Sequence, residues 1–228
     1  MPLTILGLPY GVFLLLVSAT FYFISSILIL RPLFETKEQL IQSFFAWLFG
    51  MGLLHFFLAA GFFWDVNALL YIGMFGALTG SAYLLRIPLR GLWPRHETVV
   101  FYTVLLAGWF IIAWMLLASN YSLELMLNIM FGYMILVGGI LPGPYLIWIG
   151  LKSENRAMKV KGIGGGIGVI LCCLLADSLV LFVYMNVSFW TEFFMTIAPI
   201  VLISAVFYGR QLEKADLIRV AVPENAKI

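Results

Sequence analysis

Charge is what this sequence has least of. Asp, Glu, Lys and Arg make up 11% of its 228 residues, against about 25% in a soluble domain. Hydrophobic residues reach 63%. A water-soluble fold of this length cannot hide so much apolar surface, because one core must be wrapped in polar residues. A bilayer lifts that limit, since the outside of a bundle can then be apolar too. No shift in composition marks a second domain.

Cysteine is equally scarce. Cys172 and Cys173 are adjacent in an apolar run. Neighbours rarely bridge each other, and no paired framework exists. They read as small buried hydrophobes. There are two histidines, His55 and His96. That excludes the bis-His ligation of a multi-haem cytochrome and a three-His zinc site. His-Glu-x-x-His and Gly-x-Ser-x-Gly are both missing, and with them two common hydrolytic centres.

Long apolar runs are abundant. A helix crosses the hydrocarbon with about 20 such residues. Seven stretches qualify, at roughly 7–30, 41–64, 66–86, 97–118, 123–150, 162–185 and 189–209. The expected fold is therefore an all-α seven-helix membrane bundle, residues 1–209, followed by a short tail, 210–228. The breaks are Arg31-Pro32 to Glu38, Trp64 to Asn67, Arg86 to Glu97, Asn120 to Ser122, Lys152 to Lys161 and Asn186 to Ser188.

The 13 basic residues settle into a pattern. Arg31 and Lys37 lie in the first loop, Arg86, Arg90 and Arg95 in the third, and Lys152, Arg156, Lys159 and Lys161 in the fifth. Arg210, Lys214, Arg219 and Lys227 follow the last span. With seven spans all four segments share one side, and the N-terminus and the other loops hold none. Basic residues in short loops stay cytoplasmic, so the expected orientation is N-terminus outside, C-terminus in the cytoplasm, in the cell membrane. Nothing basic precedes the first span and its apolar run is long, so it reads as an anchor rather than a cleaved signal.

Trp64, Trp93, Tyr121, Trp148 and Trp190 sit where interfacial anchors belong. Small residues recur four apart: Gly76 with Gly80, Gly139 with Gly143, Gly162 with Gly166, Gly164 with Gly168. Such pairs let helix backbones approach closely, or serve as a hinge. Pro142 and Pro144 are expected to kink span five, and Pro199 to bend span seven. Lys161 to Gly168 has the glycines of a phosphate loop, but it follows no strand and lacks Gly-Lys-Ser/Thr.

Ionisable residues inside a span are functional candidates. Here they are His55 and Asp177, each about fifteen residues from the inner end of its span and so at similar depth. Glu124 and Asn128 share one face of span five. The four together make a candidate ligand or proton site opening outward, suited to a cation or basic solute. The alternative is polar side chains satisfied within the bundle. Asp65 and Glu192 read as solvated helix ends.

No carboxylate cluster suited to Mg²⁺ lies at the inner face, so no catalytic residue, metal or cofactor is expected, and the chain reads as a non-enzyme. Span seven lacks the lysine of a retinal Schiff base. The expected partners are the bilayer and a cytoplasmic protein at the basic inner face, with no nucleic acid. Three functions fit: a sensor or receptor-like module, a small-solute or proton-coupled transporter, and a structural subunit of a larger complex. The first is preferred, although its tail is too short to hold an effector domain of its own.

Overall fold

The structure, a computed structural model, describes residues 4–5, 8–36, 38–117, 123–176 and 189–221. Among them are seven helical spans long and apolar enough to cross a membrane, a set compatible with a multi-pass membrane protein. A short hairpin, β1 (Thr4–Ile5) and β2 (Leu8–Pro9), leads into α1 (Tyr10–Thr36). Then come α2 (Gln39–Trp64), α3 (Asn67–Leu92) and α4 (Glu97–Leu117). Span five is composite: α5 (Leu123–Tyr133), a π-helical segment Met134–Gly139, and α6 (Pro142–Lys152). Span six is α7 (Arg156–Val169) with a second π segment, Ile170–Ala176. Span seven is α8 (Phe189–Ala221).

The helices outrun the apolar stretches. α1 continues through Arg31 and Pro32 to Thr36, and α3 passes Pro88 to reach Leu92. α7 begins at Arg156 rather than 162, and α8 extends past Gly209 to Ala221. Apolarity marks where hydrocarbon ends, not where helical hydrogen bonding ends. Lys, Arg, Glu and Gln sustain a helix well, and a proline is tolerated where neighbours re-satisfy the freed carbonyl.

The turn between α2 and α3 is short because it is capped. Asp65 takes the left-handed conformation, φ 54°, which a short polar side chain tolerates. The Val66 N–H then reaches back to the Gly61 carbonyl at 3.1 Å, a Schellman closure. At the start of α7 the Asn155 side chain accepts from the N–H groups of Ala157 and Met158 at 2.8 and 3.1 Å, satisfying two orphan donors.

In span five the prolines act more strongly than a kink. Pro142 has no N–H for the Gly138 carbonyl, nor Pro144 for that of Ile140. The ladder widens, with Ile140 donating to Ile135 at 2.9 Å, and α6 restarts at Pro142. Pro199 sits inside α8 without ending it.

α2 packs against α1 and α3, α3 against span five, α7 against α6 and α8, and α8 against α1. The spans in order one, two, three, five, six and seven thus form a ring. α4 lies outside it on α3, tied by Trp109 Nε1 to Thr79 Oγ1 (3.1 Å), and to span five by Tyr133 OH to the Val104 carbonyl (2.8 Å).

The expected glycine pairs lie in these contacts. A Cβ on Gly162 would come within 2.7 Å of Gly150 Cα, and one on Gly166 within 2.7 Å of the Gly143 carbonyl. Both face α6. One on Gly168 would lie 2.9 Å from the Ala198 carbonyl, and Gly164 abuts the Ala205 methyl, both on α8. Gly165 faces the Phe44 ring of α2. Gly80 packs on the backbone of Trp47, and Gly76 on Gly50. Gly166→Val is therefore expected to lower stability by about 1–3 kcal/mol, the usual range for overpacking. Gly132→Val, where nothing lies within 4 Å of an added Cβ, makes no such clash. Thermal unfolding of the two purified variants in detergent checks this, and equal midpoints would contradict it.

Candidate functional site

His55 of α2 is buried, 2% exposed. Its Nδ1 lies 2.8 Å from the Met51 carbonyl oxygen. A carbonyl only accepts, so Nδ1 carries the proton.

Around the ring is a cluster of aromatic and sulfur groups drawn from four spans. Tyr22 of α1 stacks on His55, centroids 5.3 Å apart and planes 21° from parallel. Trp47 of α2 meets Tyr22 edge-on at 6.0 Å. The Tyr22 hydroxyl donates to Cys172 Sγ of span six at 3.2 Å and lies 3.9 Å from Met195 Sδ of α8. Cys172 Sγ is itself 3.5 Å from that sulfur. One turn away the hydroxyls of Ser18 and Thr196 are 3.0 Å apart, joining α1 to α8. A phenol in an apolar interior needs a partner, and two weakly polar sulfurs supply it at little desolvation cost.

The cluster borders both π segments. Cys172 belongs to that of span six, which packs against that of span five. Gly138 of the latter faces Ser81 Oγ and Cys173 Sγ. π segments release backbone groups from the regular ladder and recur at functional sites. Three buried polar atoms nearby in the fold, Ser43 Oγ, Trp47 Nε1 and Ser81 Oγ, have no hydrogen-bond partner among the described residues.

Of the four residues expected at the site, the structure places two. His55 belongs to the cluster, stacked on Tyr22. Asn128 is half-buried on α5, and no hydrogen bond among the described residues joins it to His55. Glu124 lies on α5, its side chain outside the description, and Asp177 follows the second π segment outside the described residues. Asp65 is exposed, acting as the α2 cap. Sequence reasoning missed Tyr22, Trp47, Cys172 and Met195. A signal existed for Tyr22: it lies mid-span, far from the interfaces where a tyrosine needs no internal partner.

The basic end is built of ion pairs between spans. Glu97 accepts from Arg86 Nε at 2.7 Å and Gln39 Nε2 at 3.0 Å, while Arg90 donates to Gln39. The Arg86 guanidinium lies 4.6 Å above the Phe101 ring. Lys161, read from sequence as a loop residue, is 3% exposed and pairs with Glu213 at 2.7 Å. Glu35 joins Arg31 to Arg210, both at 2.7 Å. These contacts connect α2, α3 and α4 in one set, and α1, α7 and α8 in two others.

Tyr22→Phe keeps the ring, removes the phenol–thiol hydrogen bond and is expected to destabilise by about 1 kcal/mol. Tyr22→Ala removes the ring and is expected to cost about 3–5 kcal/mol, opening Cys172 to alkylation. Maleimide labelling of the folded variants reads this out, and a Cys172 equally inert in all three proteins would refute the packing role of Tyr22. No family model matches the chain, and neither the curated proteins nor the solved structures contain a match to it.

Proposed function

We propose that the chain is a sensor-like module of the cell membrane, with its N-terminus outside and its C-terminus in the cytoplasm. A change at the buried cluster, driven from the outer half, is relayed along α8 to a cytoplasmic partner at the basic face. One observation carries this reading. α8 is a single helix that holds Met195 and Thr196 in the cluster and Arg210 and Glu213 in the ion pairs of the basic end. The placement of the basic residues supports the orientation. A ligand site built with Asp177, Glu124, Asn128 and His55 remains part of the proposal.

The test is a distance measurement. Spin labels on Gln42→Cys of α2 and Gln211→Cys of α8 report the basic end in nanodiscs. With His55→Ala added, the mean distance is expected to shift by about 1–2 Å, the size of helix shifts in known switches. An unchanged distribution in a folded variant would end the relay reading.

Transport is the second reading, favoured by the two facing π segments. Broken helices at the midplane are how carriers expose backbone groups to a substrate. Proteoliposome uptake of a cation or basic solute, lost in Asp177→Asn, would move the assignment there.

A further inference from the structure

At the basic end a cleft of about 460 Å³ opens between α1 and α8. Its rim carries Arg31 and Glu35 from α1 and Arg210 and Lys214 from α8. Three cations thus face one carboxylate. Glu35 bridges the two arginines, Oε1 accepting from Arg31 Nε and Oε2 from Arg210, each at 2.7 Å. A guanidinium has five N–H donors, so each arginine retains most of its fork for another acceptor. Lys214, one turn beyond Arg210 on the same helix face, makes no ion pair with a described residue. Glu35 holds both guanidinium groups in position before any ligand arrives.

The wall behind this rim is apolar. Ile27 and Leu28 stand one turn back along α1 from Arg31, and Phe207 one turn back along α8 from Arg210. They are 64%, 45% and 37% exposed. A soluble anion would use the rim and leave this wall untouched. A phospholipid would use both, with phosphate at the cations and an acyl chain along the wall.

We propose that this cleft binds the phosphodiester headgroup of an anionic glycerophospholipid, seated between the ends of spans one and seven. Arginine forks suit phosphate oxygens, and basic residues at the cytoplasmic interface attract anionic lipid. The inference rests on the membrane reading above and extends it. The lipid bridges α1 to α8, the helix assigned the relay, so its occupancy sets how freely the inner end of α8 moves.

Native mass spectrometry of the full chain, released from micelles with added phosphatidylglycerol, tests this. One retained phosphatidylglycerol is expected, not displaced by millimolar inorganic phosphate, with phosphatidylcholine retained far less. Lys214→Ala is expected to weaken retention about fivefold, and Arg210→Ala with Lys214→Ala about 25-fold, at about fivefold per cation. Arg95→Ala, an exposed basic residue outside the cleft, is expected to change it less than twofold. Lys214→Ala alone keeps the test valid should the double variant misfold. The proposal is overturned if Arg95→Ala weakens retention as much as Lys214→Ala, if the cleft variants bind like wild type, or if phosphatidylcholine is retained equally. Displacement by inorganic phosphate would also overturn it, in favour of a soluble-anion site. Micelles offer lipid from either side, so binding does not depend on orientation. Labelling of Lys214→Cys in intact cells tests orientation separately: reaction from outside would overturn the orientation while leaving the cleft intact.

Discussion

Span six has almost no room for side chains. From Gly162 to Gly168 its backbone touches α6 on one face, α8 on another and the Phe44 ring on a third. Helices in lipid gain little from burying apolar surface against one another, since the lipid is apolar too. Close backbone approach and van der Waals contact must hold them instead. The glycines make that approach possible here. They bring span six near enough to α8 for Cys172 to reach Met195, and near enough to α1 for the Tyr22 hydroxyl to reach Cys172. The cluster around His55 is therefore a consequence of the glycine packing one to two turns below it. A bulkier residue at 164 or 168 would push span six away from α8, two of the helices that the cluster joins.

Much of this fold is legible in the sequence, for a physical reason. Lipid as solvent imposes a length on each apolar run, and seven runs of that length can be counted directly. The glycine pairs are legible too, because spacing of four puts them on one face. What the sequence does not reveal is where helices end in water. Arg31, Pro32 and Pro88 look like breaks, yet the ladder continues through them. The π segment of span five is visible only as Pro142 and Pro144, which signal lost hydrogen bonds without saying how the backbone absorbs them.

The site is less legible than the fold. His55 announces itself, because an imidazole in hydrocarbon is expensive. Its neighbours do not. Tyr22, Trp47, Cys172 and Met195 come from three different spans besides its own neighbour on α2, and each is an ordinary residue for an apolar run. Their meeting depends on helix rotation and register, which composition leaves open. Lys161 misleads in the opposite direction. It lies among the basic residues that mark the fifth loop, but the helix begins before it, and its side chain is carried inward against Gly209.

That burial bears on how α7 and α8 move. A lysine nearly removed from solvent is tolerable only with a paired charge, and separating the pair leaves an uncompensated ion. Glu213 supplies the pairing charge at one end of the helix contact. At the other end Cys172 meets Met195, and between them Gly164 and Gly168 keep the backbones in contact with Ala205 and Ala198. Two helices fixed at both ends and the middle resist bending apart. The π segment of span six, Ile170–Ala176, is the part of this unit freed from the regular ladder, and it carries Cys172. The cluster, through Tyr22 and Cys172, and the Arg210–Glu35 pair to α1 thus lie at opposite ends of one packed helix pair.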